Sequence, residues 1–477
     1  MLKIKSKLGN KVKNRVIKSI ALMCTVTLMA CPLTACESAD EDVIVLRVCN
    51  WEEYMDEGDW DEDEAMDIND EVTIYGENSM VEDYEEWFYE TYGKRVVVEY
   101  STFGTNEELY NQLTLGDVYD LVCPSEYMIM KMMTEDMVVP FSDDFFDAED
   151  ENNYYIRNVS PYINWRMQNL VIDGQSIEKY GACYMWGTLG IVYNPEYITE
   201  DQASHWDLLL DPDVYKQVTI KDSVRDAYFA GNAIYNYDLL MSDEFRNSED
   251  YFERLDATLN ATDSVTVDGV EDILSSAQKN VYSFETDAGK ADLVTGKVYA
   301  NQQWSGDAVY TMDQAEEDGV ELCYAAPEEA TNLWFDGWCM LDKGIAGDAD
   351  KQLAAEAFVN FVSRPDNAIR NMYYIGYTSS IAGVTDGLIS DYIEYNFAAE
   401  EDDDEAVPYD IGYFFGEDEY IVMTPKEQVR RQFGAQYPTK DIVDRSVVMA
   451  YFNKEGNERI NRMWTNVRCF DLDSLFK

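Results

Sequence analysis

Trp334, Phe335 and Asp336 occupy consecutive positions. On an extended segment, residues two apart face the same side, so an indole and a carboxylate point together. Such a pair suits an organic ammonium: the indole face attracts the cation and covers its methylenes, while the carboxylate neutralises and hydrogen-bonds the nitrogen. An isolated triplet of this kind is more often a core tryptophan beside a surface aspartate, so its meaning depends on the rest of the chain.

Much chemistry is excluded. His205 is the only histidine, which removes zincin motifs and multi-histidine zinc sites and leaves one residue for any Ser-His-Asp triad. The sequence Ser204-His205-Trp206-Asp207 reads as the capped start of a helix, with Ser204 at the N-cap. No phosphate-binding or dinucleotide glycine motif occurs. The nearest approach to a calcium loop, Asp59 to Glu64 with Asp70 at position 12, lacks the glycine at position 6. The six cysteines after Cys36 form no CxxC pair and read as buried thiols. No catalytic residue, metal ligand or cofactor is therefore assigned. With 94 acids, an extracellular carbohydrate-acting enzyme using an Asp/Glu pair stands as an alternative, as does a binder of another cation or a metal.

The first 36 residues carry seven Lys or Arg and no acid. Their basic stretch, Lys3 to Lys18, precedes the apolar run Ile20 to Ala30, which is too short to cross a bilayer and reads as a secretion signal. It ends in Leu33-Thr34-Ala35-Cys36, which resembles a bacterial lipobox; Cys36 would then become a lipid-bearing N-terminus. Cys31 fits less well, because Met29 is bulky and Pro32 follows. The expected location is the extracytoplasmic face of a bacterial cell membrane, in the periplasm or at the cell surface. Removing the leader takes the formal net charge from −58 to −65. That surface repels nucleic acid and concentrates cations, within a screening distance of about 8 Å.

About 440 residues remain, more than one core usually supports, so two lobes are expected. Strand, helix, strand, helix, strand alternate over Val43 to Cys49, Val81 to Tyr92, Arg95 to Phe103, the segment capped by Thr105 and ended by Gly116, and Tyr119 to Cys123. This is an α/β pattern with parallel strands, whose ligands gather beyond the C-terminal strand ends. Aromatics and polar oxygens stand there: Asn50 to Tyr54, Ser101 to Phe103, Pro124 to Tyr127 and, later, Lys221 to Asp226 and Asn301 to Trp304. Two acidic stretches, Gly58 to Gly76 and Glu400 to Glu405, read as solvated loops.

These segments, from about Val43 to Arg468, resemble the spermidine/putrescine-binding lipoprotein family of ABC importers. The resemblance rests on ordered blocks: Asn50 to Tyr54, Tyr119 to Tyr127, Tyr184 to Ile191, Asp222 to Asp226, Trp304 to Gly306, Trp334 to Asp336, Phe358 to Pro365 and Ile375 to Thr378. It implies a two-lobed, type II periplasmic-binding-protein-like fold with the ligand cleft between the lobes. Lobe 1 would comprise residues 43–186 and 336–385, and lobe 2 residues 187–335 and 386–477. The implied partners are a polyamine ligand, the membrane through the lipid anchor, and an ABC permease with its separate ATPase.

By the same resemblance, the pocket would be lined by Trp51, Glu52, Tyr54, Ser125, Tyr127, Ser223, Asp226, Trp304, Trp334, Asp336 and Tyr377. Asp226 and Asp336 would each meet a ligand nitrogen, since burying an unpaired ammonium is costly. Glu52, Ser223 and Met449 depart from the family pattern, which has Thr, Asp and Gln there, and Asp226 is shorter than the corresponding Glu. Ligand length is therefore left open between spermidine and putrescine.

Overall fold

In this computed structural model, the residues described are 43–286, 288–400 and 402–469. The leader and the proposed lipidation site, Cys36, lie outside them. Among the described residues, no helix is long and apolar enough to cross a membrane.

The chain opens with β1 (Val43–Trp51), α1 (Met80–Tyr92), β2 (Arg95–Phe103), α2 (Asn106–Leu115) and β3 (Leu121–Val122). Local chemistry sets these bounds. Ser79 caps α1 by accepting the Glu82 N–H, and Gly93 ends it at φ 67°; a cap of this kind contributes about 1 kcal/mol. Thr105 caps α2 in the same way, and Gly116 terminates it. Met80, Tyr84 and Phe88 bury one face of α1. β1 pairs in parallel with β2 and β3.

Further along come α3 (Glu126–Thr134), β4 (Ala182–Tyr193), β5 (Val218–Lys221), α4 (Val224–Tyr235), β6 (Ser283–Glu285) and β7 (Ala300–Trp304). They are followed by α5 (Ser305–Glu317), β8 (Cys323–Ala325), β9 (Thr331–Leu341), α6 (Pro365–Ile375), β10 (Thr378–Ser379) and α7 (Leu388–Phe397). The main sheet runs in the order β6-β5-β7-β4-β9-β3-β1-β2. Its ends are parallel, as the alternation predicts, while β4 and β9 run antiparallel through its middle. Every residue of these two strands is buried, as expected of a strand covered on both faces.

β4 and β9 are the crossovers. Residues 182–188 of β4 face β9, whereas Leu189 to Tyr193 face β7. β9 continues from that pairing into β3 through Cys339 and Met340. One apolar core lies around β1, α1 and α6, and a second around β5 and α4.

The assignment of residues 386–477 to the second lobe does not match how they pack. Leu388, Phe397, Phe414 and Phe433 join the first core, with the Phe397 and Phe433 rings stacked 4.6 Å apart. Only the terminal stretch, including Phe452, Ile460 and Met463, joins the second. The Gly58 to Gly76 stretch is also more than a solvated loop: Trp60, Met66, Ile68 and Ile74 are buried, and a short hairpin pairs Met66 with Ile74. Ser204 ends a short helix, Glu200–Ala203, instead of starting one, and the N-cap of the next turn is His205. Cys49, Cys123, Cys183, Cys323 and Cys339 are buried free thiols, while Cys469 is exposed.

Candidate ligand-binding site

Extended backbone in β9 places Trp334 and Asp336 on one side, and both are buried, at 8% and 7% exposure. Immediately after Asp336 the register with β4 shifts, a bulge of the kind that re-aims a side chain. Asp336 accepts two neutral donors: the Ser125 hydroxyl at 2.7 Å and the Tyr54 hydroxyl at 2.9 Å. Ser125 is held at the N-cap of α3. Tyr54 sits in the turn after β1, where its carbonyl accepts from Asn50 and from the Tyr184 hydroxyl. Among the described residues, no Lys or Arg pairs with Asp336. Burial pushes its carboxyl up to about 6, against the two hydrogen bonds that favour the anion. Burial and the nearby Asp336 also drive the Tyr54 phenol well above its usual range, keeping it a donor.

Aromatic rings wall this carboxylate. Tyr377 meets Tyr54 edge-on at 5.3 Å and Trp334 at 5.6 Å, distances at which aromatic pairs attract. The motif glycines make room for them. A Cβ on Gly187 would lie 2.6 Å from Trp334 Cζ2, and one on Gly306 would enter the Tyr377 ring. Glu126, also buried, holds the triplet's backbone by accepting the Phe335 N–H at 2.9 Å, and burial pushes its carboxyl up to about 7.

The second lobe contributes a different set. Ser223 caps α4 by accepting the Asp226 N–H. Asp226, 5% exposed, accepts the Trp304 indole N–H at 3.4 Å through Oδ1, while its Oδ2 is buried without a partner. Burial raises the Asp226 carboxyl; Lys221, Ser223 and Trp304 partly offset this. Lys221 Nζ lies 3.8 Å above the centre of the Trp304 ring and 3.2 Å from Asp307. Lys290 reaches the other oxygen of Asp307 at 2.8 Å.

The lobes touch across this region. The Tyr377 hydroxyl donates to Asp307 at 3.1 Å, and the Arg225 guanidinium lies 3.9 Å from the Tyr127 ring centre. Arg225 is fixed by the carbonyls of Met449 and Ala450. The Tyr127 hydroxyl donates to Glu107 at 3.3 Å. Trp51 packs on Phe103 at 4.7 Å, and its indole N–H, like that of Trp334, finds no acceptor.

Of the residues singled out from sequence, Tyr54, Ser125, Trp334, Asp336 and Tyr377 form one contiguous group, and Ser223, Asp226 and Trp304 a second. Tyr127 joins the seam between lobes through Arg225. Glu52 differs: it is exposed on the turn after β1. Sequence reasoning gave no role to Lys221, Arg225, Asp307 or Lys290, although Lys221 ends a strand and Asp307 directly follows the Trp304 to Gly306 block. A separate groove of roughly 640 Å³, lined by Glu200, Tyr409, Arg430 and Lys440 among others, shares none of these residues. Two of its cations are met by acids of the chain, in Arg430–Glu200 and Lys440–Asp444.

An α/β molecule of two lobes, joined by paired crossover strands with acids and aromatics at the junction, has the architecture of a cleft-type solute receptor. Residues 79–399 match the model of the bacterial extracellular solute-binding protein family, and the chain belongs to that family. It is 26% identical over 284 residues to the spermidine/putrescine-binding periplasmic protein of Salmonella typhimurium, covering 59% of this chain and 70% of that one. It is 25% identical, also over 284 residues, to the putrescine-binding periplasmic protein PotF of Escherichia coli, covering 57% and 67%. The fold is shared with the spermidine/putrescine ABC transporter substrate-binding protein PotD of Streptococcus pneumoniae, with a TM-score of 0.59, 23% identity and coverage of 89% of this chain and 98% of that one.

Proposed function

We propose that this chain is the extracytoplasmic, lipid-anchored receptor of an ABC importer, and that it clamps a polyamine between its lobes and hands it to the membrane permease. The observation that carries this reading is Asp336: a buried carboxylate, ringed by Tyr54, Tyr377 and Trp334, that receives only neutral donors. A buried anion so placed is stabilised by an incoming ammonium, and the flat rings cover the methylenes beside it. Asp226, with one oxygen unpartnered, would meet a second nitrogen. Trp51, Trp304 and Tyr127 complete the walls. The polyamines named for the relatives above fit this alternation of acid and aromatic. Closure would hinge where β4 and β9 cross between lobes.

Calorimetric titration of the purified protein with spermidine and putrescine tests the proposal. Binding heat and a raised melting temperature are expected. The absence of both heat and a melting shift at millimolar ligand would overturn it. Turnover of an oligosaccharide would instead favour a carbohydrate-acting enzyme.

A further inference from the structure

The second-lobe end of the site already contains an ammonium of its own. Lys221 closes β5, and its side chain is only 2% exposed. Desolvating an ammonium is costly unless charge and hydrogen bonds replace its water. Here the replacement is the Trp304 ring, 3.8 Å below Nζ, and Asp307 Oδ2 at 3.2 Å. The same indole donates its N–H to Asp226, so one ring links the resident cation to the acid proposed for a ligand nitrogen.

Both oxygens of Asp307 are already engaged by donors of the chain. Oδ2 takes Lys221, and Oδ1 takes both Lys290 at 2.8 Å and the Tyr377 hydroxyl at 3.1 Å. Lys221 and Lys290 thus stand with Asp307 and Asp226 at this end before any ligand arrives, and Arg225 is close enough to act on Asp226 as well. A single ligand ammonium can still reach Asp226 Oδ2, which no protein donor occupies. A further one would stand beside Lys221 and Lys290, and like charges at such short range repel strongly. At the opposite end, no Lys or Arg among the described residues pairs with Asp336.

Resting on the polyamine reading above, we propose that Lys221 is a specificity-determining residue. Seated on Trp304 and paired with Asp307, it takes the place of an outer ligand ammonium, so the site selects a two-nitrogen diamine over a three-nitrogen polyamine.

The test is calorimetry with putrescine and spermidine on the wild-type protein, Lys221→Met and Lys290→Met, with melting curves to show folding. Lys221→Met keeps an unbranched stem and removes the charge over the indole. Wild type should bind putrescine at least about tenfold more tightly than spermidine, and Lys221→Met should move that ratio about tenfold toward spermidine. Lys290→Met, which leaves Lys221 on the ring, should move it less. A wild-type preference for spermidine, or a folded Lys221→Met with an unchanged ratio, would overturn the inference. Equal wild-type binding of both ligands would also overturn it while leaving the polyamine reading intact. Binding of neither would remove that reading and the inference with it. If Lys221→Met does not fold, Lys221→Gln takes its place in the same titration, and a folded variant with an unchanged ratio overturns the inference.

Discussion

Asp336 and Asp307 are both buried carboxylates, yet they stand in opposite company. Asp307 is met by Lys221, Lys290 and Tyr377; although burial opposes its charge, the two lysines hold its carboxyl below the usual range. Asp336 is met by two hydroxyls, and burial pushes it up to about 6. One is a finished ion cluster that holds a lobe together. The other is half an ion pair whose missing partner would be the ligand. A buried acid is thus informative about function through its partners more than through its burial.

The largest effect expected from this contrast is on folding. Asp307→Ala strands Lys221 without its acid and should cost about 3 to 5 kcal/mol of stability, read as a lower melting temperature. Asp336→Ala removes a carboxylate that burial disfavours, so the unliganded protein should melt no lower than wild type. Equal destabilisation by both would dissolve the distinction.

Acidity separates the two next. Ligand binding requires ionised Asp336, so polyamine affinity should weaken by about tenfold per pH unit below about 6. Without ligand the sign reverses. The raised carboxyl of Asp336 contributes stability that is full below its unfolded value and is lost as pH climbs through about 6. Titrations and melts from pH 4 to 8 read both trends.

A smaller change is expected from Tyr54→Phe, which deletes one donor to Asp336. It should weaken binding by about 1 kcal/mol and shift the acidic edge of binding to higher pH. Smallest of all is Glu52→Thr, expected to alter affinity less than about twofold, because an exposed charge is screened by solvent.

Where periodicity and caps agree, the fold was legible. α1 ends where Gly93 directs, and α2 begins and ends where Thr105 and Gly116 direct. The triplet on β9 was legible too, because strand alternation alone puts Trp334 beside Asp336. Charge partners were not. Lys221, Asp307 and Lys290 meet across 86 and 17 residues of sequence, and no local pattern announces such a meeting. The packing of the part from Leu388 to Phe433 with the other core was not legible for a similar reason: apolar spacing reveals that a helix has a core face but leaves open which core receives it. In Gly58 to Gly76 the acids masked Trp60, Met66, Ile68 and Ile74, which dock the insert. Glu52 was placed in the pocket by resemblance, and it is exposed on the turn after β1.

The central claim is that Asp336 awaits an external ammonium, and it is tested most directly by titrating putrescine and spermidine into wild type and Asp336→Asn at pH 7.5. Asn preserves the shape and most of the hydrogen bonding but carries no charge. The account predicts a loss of at least about 3 kcal/mol in binding of the preferred ligand, roughly a hundredfold, with melting temperature unchanged or raised. An Asp336→Asn protein that binds polyamine as tightly as wild type would contradict it.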